Sequence, residues 1–170
     1  METEQVEMVD VVDMHNNVIG EAPRKGIHEK HLLHRAAHIF LVDSSGRLWI
    51  EKRGKTVDTN PGYYDSSAAG HVSKGETYDE GARREVLEEL GIEGLELKPV
   101  RTIDAAPETN NEFVRFYIAR SDKLPRLHED AVSQERYTIE EIKKKIKNGE
   151  KFTPMFLKLF AYYNETLPSQ

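Results

Sequence analysis

No cysteine occurs in the 170 residues. That excludes disulfides, thiolate metal sites and cysteine nucleophiles, and it agrees with a reducing compartment, so a cytoplasmic location is expected. Long apolar runs are missing as well. Stretches such as Ile39 to Val42 fall far short of the ~20 residues that span a bilayer, and no membrane partner is expected. Met1 to Asp13 is acidic and lacks a basic start followed by an apolar run, so it does not read as a signal peptide. Positive charge is in deficit: 24 Lys and Arg stand against 30 Asp and Glu, a net charge of −6. The single basic stripe, Lys143, Lys144, Lys145 and Lys147, is interleaved with Ile142 and Ile146 and reads as a solvated helix face. No nucleic-acid partner is therefore expected. Repeats, low-complexity tracts and linkers are absent. The length fits one domain over residues 1–170, large enough to bury roughly two-thirds of its unfolded surface.

What is present is a regular alternation of short elements. Val6 to Val12 and a run from Val18 read as strands about a turn at Asn16-Asn17. Arg24 to Leu33 is polar, a loop or short helix. Ala36 to Val42 and Leu48 to Lys52 flank Asp43-Ser44-Ser45-Gly46, a hairpin signal. Asn60-Pro61-Gly62 marks a loop, and Ser66 to Val72 a short strand. Thr77 to Leu90 is the clearest helix, with Glu76 and Asp79 at its start and Gly91 at its end. Strands are expected at Leu95 to Ile103 and Phe113 to Ala119. Helices are expected at Ile139 to Asn148 behind Thr138, and at Pro154 to Tyr163 behind Thr153. The order predicts an α+β fold, an α/β/α sandwich with a mixed central sheet between helices.

On the central helix Glu85, Glu88 and Glu89 project within an arc of roughly 100°, with Val86 and Leu90 beside it facing the core. Like charges so spaced repel by a few tenths of a kcal/mol per pair. Taken alone, the helix reads as a solvated acidic face. The loop before it changes the reading. Gly70 and Gly75 bracket a segment able to bend over the helix N-terminus, where a backbone carbonyl could complete a site for Mg²⁺, a cation that takes oxygen ligands.

The whole segment resembles the Nudix box: Gly, five residues, Glu, seven residues, Arg-Glu, an apolar residue, any residue, Glu-Glu, any residue, Gly, an apolar residue. Gly70, Glu76, Arg84, Glu85, Val86, Glu88, Glu89, Gly91 and Ile92 fill every defined position, a match expected by chance roughly once in ten million chains of this length. The resemblance implies an α/β/α sandwich whose loop-helix-loop binds Mg²⁺ or Mn²⁺. Glu85, Glu88 and Glu89 would be ligands, joined by the Gly70 carbonyl, with Arg84 and Glu76 orienting them. The implied reaction is attack of water on phosphorus in a nucleoside diphosphate linked to another group, or in a related organic diphosphate. A homodimer is compatible with it. Glu89 is the first candidate for base or metal-water ligand and Glu112 the second. Arg53 and Lys52, at the end of a strand, are candidates to hold phosphate, and His71 to touch substrate. Tyr63 and Tyr64 read as packing residues under their loop.

The flanks resemble isopentenyl-diphosphate isomerase and its relatives within the same superfamily, through Leu32 to Ala36, Pro61 to Asp65, Ala69-Gly70-His71, Met8 to Gly20 and Thr153-Pro154. The isomerase needs a cysteine before its Gly-His pair, and Ala69 stands there. His34, His71 and Glu112 match parts of the isomerase metal site, while Asn110 occupies a position where a glutamate would be expected. Hydrolysis is accordingly expected, with a non-catalytic diphosphate-binding module and isomerisation as the alternatives. His28, His31 and His34 recur at spacings of three, which could place them on one helical face as a metal site, but without a fourth partner they read as surface histidines, with only His34 supported by the resemblance.

Overall fold

The computed structural model describes residues 6–167. Met1 to Gln5, the start of the segment read as lacking a signal, and the last three residues of the expected 1–170 domain lie outside the described residues. Strand β1 (Met8–Val12) pairs antiparallel with β2 (Val18–Pro23). The turn between them is held by Asp13, whose Oδ1 accepts from the Asn17 amide at 2.9 Å. Helix α1 (Arg24–Glu29) follows.

The main sheet has seven strands. They are β3 (His34–Val42), β4 (Leu48–Arg53), β5 (Tyr64–Asp65), β6 (Ala68–His71), β7 (Lys98–Ile103), β8 (Glu112–Arg120) and β9 (Ala131–Tyr137). Five form the path β5-β4-β3-β8-β7, with β6 on β3 and β9 on β4. β3 runs parallel to β8 and antiparallel to β6, so the sheet is mixed. β3 is an almost continuous apolar run, as a strand covered on both faces must be. Ala37, Ile39 and Leu41 pack on one face against Ala82, Val86 and Leu90. Ala36, Phe40 and Val42 pack on the other against Phe156, Leu159 and Phe160. The first layer is α2 (Tyr78–Glu85) with a π-helical turn, Val86–Leu90. The second is α3 (Ile139–Lys147) and α4 (Pro154–Thr166). This is the expected α/β/α sandwich.

One departure from a simple sheet creates the cleft. β3 and β4 share only the Val42–Leu48 pair beside their turn. Further along, β3 takes β6 as its neighbour from Ala36 to Ile39, while β4 pairs with β5 and β9. The two strands thus diverge, and the wedge between them opens towards β6.

Three details differ from expectation. β5 and β9 were not foreseen: β5 has two residues, and β9, Ala-Val-Ser-Gln-Glu-Arg-Tyr, mixes half-buried and exposed residues without an apolar face to read. The expected helix from Thr77 ends as a π-turn, closed by Gly91 at φ 66°. The side chain capping its first turn is Glu80, in a reciprocal box with Thr77.

Candidate metal and diphosphate site

Two groups of side chains meet at β6 from opposite faces of the sheet. The first is His28, His34, His71 and Glu112, whose ligand atoms all lie within 4.8 Å of one another. The backbone pairing brings them together. His34 and Glu112 are Cα partners in the parallel β3–β8 ladder, and His71 is the partner of Ala36 on the other side of β3. His28 enters from the last turn of α1. Asn110 and Asn111, both at positive φ, turn the chain sharply into β8 and so set Glu112 in place. The three imidazoles stand 4.8 to 5.3 Å apart, centroid to centroid.

Hydrogen bonding leaves these rings free to coordinate. His34 Nδ1 lies 2.8 Å from the Leu32 carbonyl and must donate to it. That leaves Nε2 for the site: it is buried, has no hydrogen-bond partner and lies 3.4 Å from Glu112 Oε1. His71 Nε2 is 3.3 Å from the same oxygen, and its Nδ1 is buried without a partner. Burial opposes the Glu112 charge, but the adjacent His34 and His71 imidazoles outweigh it and hold the carboxyl well below the usual range. His28 is pushed down by burial and by the neighbouring His71 and His34. Unpaired imidazole nitrogens around an ionised carboxylate suit a divalent transition metal. His28 is thus no surface histidine, whereas His31, exposed at φ 52°, stands outside the group.

The second group comes from α2. Arg84 binds Glu76 with Nε at 2.7 Å and Nη2 at 2.9 Å, Glu85 with Nη1 at 2.6 Å, and the His71 carbonyl with Nη2 at 2.9 Å. It thereby ties the helix to the loop and to β6. Glu76 also accepts from the Ser73 amide at 2.9 Å. The buried Glu85 carboxylate lies against the α-carbon of Gly70, in the space any side chain there would fill. Glu89 Oε2 accepts from the Ala69 amide at 2.9 Å. Burial, only partly offset by Arg84, pushes Glu85 up to about 7. Burial, then the charges of Glu51 and Glu85, push Glu89 well up. The arc of three glutamates is not shared equally: the Glu88 side chain is 55% exposed and pairs with Arg84 at 3.2 Å.

Ala69 sits where the groups meet. It lines both a 170 Å³ cavity beside His71 and Glu112 and an 800 Å³ cleft beside Glu89. Arg53 lines both as well, steadied by Asp65 at 3.5 Å and by the Thr59 carbonyl at 3.0 Å. Lys52 does not reach the cleft. Strand alternation turns it away, and its Nζ rests 5.2 Å from the Tyr64 ring centre. Its expected contact with phosphate is corrected accordingly. Tyr64 packs on Phe152 at 5.0 Å, as expected of a packing residue. Arg24 and Glu51 also line the cleft and were missed. Alternation along Trp49 to Arg53 would have placed Glu51 on the same face as Arg53. No local pattern marks Arg24, and the spacing of three that includes His28 also includes His31, which stands outside the group.

Comparison with known proteins agrees with this architecture. The profile of the NUDIX domain matches residues 32–159. An uncharacterized Nudix hydrolase of Yersinia pestis is 43% identical over 90 residues, 53% of this chain and 50% of its own. An isopentenyl-diphosphate Delta-isomerase 2 of Photorhabdus laumondii is 36% identical over 135 residues, 77% of this chain and 76% of its own. The crystal structure of the DR0079 protein of Deinococcus radiodurans superposes with a TM-score of 0.80 at 29% identity, covering 92% of this chain and 98% of that one.

Proposed function

Since this chain belongs to the Nudix family, we propose that it is a pyrophosphohydrolase that uses Mg²⁺ or Mn²⁺ to cleave the phosphoanhydride of a nucleoside diphosphate derivative or a related organic diphosphate. The observation that carries this reading is the arrival of Glu85 at Gly70 and of Glu89 at Ala69, where Glu89, Ala69 and Arg53 line one cleft. Glu85, Glu88 and Glu89, with the Gly70 carbonyl, would hold the ion of the glutamate helix. His28, His34, His71 and Glu112 offer a second set of donors. Bound metal supplies charge neutralisation at the phosphoryl oxygens and lowers the pKa of a coordinated water. Arg53, already oriented by Asp65 and Thr59, binds phosphate oxygens. Arg84 orients Glu85 through its bond and fixes Glu76. Glu89, fixed by its bond from the Ala69 amide, is placed to accept the proton of the attacking water. Among the described residues no helix is long and apolar enough to cross a membrane, and we place the reaction in the cytoplasm.

A second reading concerns the substrate alone. The His28, His34, His71 and Glu112 set and the isomerase-named relative favour a prenyl diphosphate among the candidates. Isomerisation itself is disfavoured because Ala69 provides no thiol.

The test is a metal-supplemented panel of nucleoside diphosphate sugars, dinucleotides, damaged nucleotides and prenyl diphosphates, with products identified. At least one should be hydrolysed, and chelation should stop the reaction. Glu89→Gln should lower kcat by about 10²–10⁴, while Glu96→Gln, on the exposed surface, should leave it unchanged. Tight nucleotide binding with no release by the wild type would sink the proposal.

A further inference from the structure

His38 lies on β3 as the register partner of Ala69. Strand alternation puts it on the face of Ala36 and Phe40, towards α4. It is only 6% exposed, and it lines the 170 Å³ cavity. Its Nδ1 meets the Ser66 hydroxyl at 2.8 Å. Ser66 is buried, and its hydroxyl has no other acceptor among the described residues. The hydroxyl therefore donates to Nδ1, and the ring hydrogen falls on Nε2. Nε2 has no partner either. Yet among the described residues the sealed side-chain atoms without a partner are His34 Nε2 and His71 Nδ1. His38 Nε2 is thus open, and the space it can open onto is the cavity.

The start of α4 meets the same cavity through Thr153, Pro154 and Met155. Pro154 has no N–H. The Phe156 amide is taken by the Thr153 side chain and the Leu157 amide by the Thr153 carbonyl. The Met155 amide is left free among the described residues, at the positive end of a 13-residue helix. One buried carboxylate spaces these donors. Asp65 accepts from the Thr153 hydroxyl at 3.0 Å and pairs with Arg53 at 3.5 Å, and its Oδ1 lies 3.9 Å from His38 Nδ1. The acids on the cavity are accounted for: Asp65 is met by Ser66, Thr153 and Arg53, Glu112 by His34 and His71, and Glu108 is exposed.

We propose that this cavity is a phosphate subsite, in which His38 Nε2 donates to the phosphate that Arg53 and the N-terminus of α4 also hold. It rests on the pyrophosphohydrolase reading above and adds a residue from outside the glutamate helix and the histidine set. Ala69 and Arg53 line both cavity and cleft, so a diphosphate can place one phosphate here and the other beside Glu89.

Titration of metal-free protein with inorganic phosphate, followed by NMR against sodium chloride of equal ionic strength, tests this without substrate or metal. His38→Leu should weaken phosphate binding at least about tenfold. Unchanged phosphate affinity in a folded His38→Leu protein overturns the subsite and leaves the pyrophosphohydrolase reading standing. So does a wild type that responds no more to phosphate than to chloride. A wild type whose phosphate binding needs His38 but which hydrolyses no diphosphate upholds the subsite and overturns that reading. Should the variant not fold, wild type labelled with ¹⁵N in histidine decides. The His38 Nε2 signal should move on phosphate addition, and a signal that stays in place overturns the proposal.

Discussion

Gly70 shows how narrowly a single position can be constrained. It lies in an ordinary strand, paired with Ala37. Its lack of a side chain matters because the Glu85 carboxylate occupies that space, held from behind by Arg84. Gly70→Ala should therefore cost about 1–3 kcal/mol in urea unfolding, the usual cost of overpacking, and should reduce hydrolysis at least tenfold. Unchanged stability and rate would mean that Glu85 is free to retreat. The glycine, the arginine and the glutamates were all legible because a local spacing determines where they meet. Glu112 was legible only through resemblance, and His28 only as one of three evenly spaced histidines, since the three β-strands and one helix that gather the histidine set are far apart along the chain. Lys52 and Arg53 were equivalent by chemistry, and only the phase of β4 separates them.

At the scale of elements, local chemistry and outcome agree closely. Thr138 and Thr153 cap the helices expected behind them, accepting from Glu141 and Phe156, and Thr77, expected as the first helical residue, is itself the cap, accepting from Glu80. Thr77→Ala should cost about 1 kcal/mol in chemical denaturation, and because α2 carries Glu85, metal affinity should fall with it. A loss confined to a few tenths of a kcal/mol would show that the sheet, and not the cap, holds this helix end. The π-turn that follows was not legible. It sits where Glu88 and Glu89 leave the α-helical register, and such widenings occur often at functional sites. β9 was missed for a different reason. Its pairing with β4 is made through the backbone, from Leu48–Tyr137 to Arg53–Ala131, with little burial to pattern its side chains.

The whole molecule pairs an ordinary core with a cleft that is electrostatically poor without metal. Glu85 and Glu89 are both raised above 4.5, first by burial. Glu51 is raised too, by burial and then by Asp65. An acid raised in the folded state retains a proton there that the unfolded chain has lost. Its stabilising contribution is complete below about 4.5 and is lost as pH rises through about 7, the value reached by Glu85. His28, held neutral, acts in the opposite sense as pH falls below its ordinary 6.5. The comparison of wild type with Glu89→Gln isolates the carboxylate. In EDTA the variant should be the more stable at pH 8, and the two should converge at pH 4.5. Mg²⁺ should raise the wild type at pH 8 and barely affect the variant. Equal urea midpoints at pH 8 without metal would show that Glu89 is not charged against its surroundings.

The sequence by itself determined the sandwich, the capped glutamate helix and the Gly70-to-Glu89 spacing, because helical period, strand alternation and turn chemistry act over a few residues. Tertiary structure alone decided which glutamates turn inward and that Arg53, not Lys52, faces the cleft. It also decided that His28 joins His34, His71 and Glu112, and that Glu51 and Glu89 line one cleft. The physical reason is the divergence of β3 and β4 around β6. That divergence brings groups from α1, β3, β4, β6, β8 and the glutamate helix to one place, and it is a property of strand pairing that no short stretch of chain encodes.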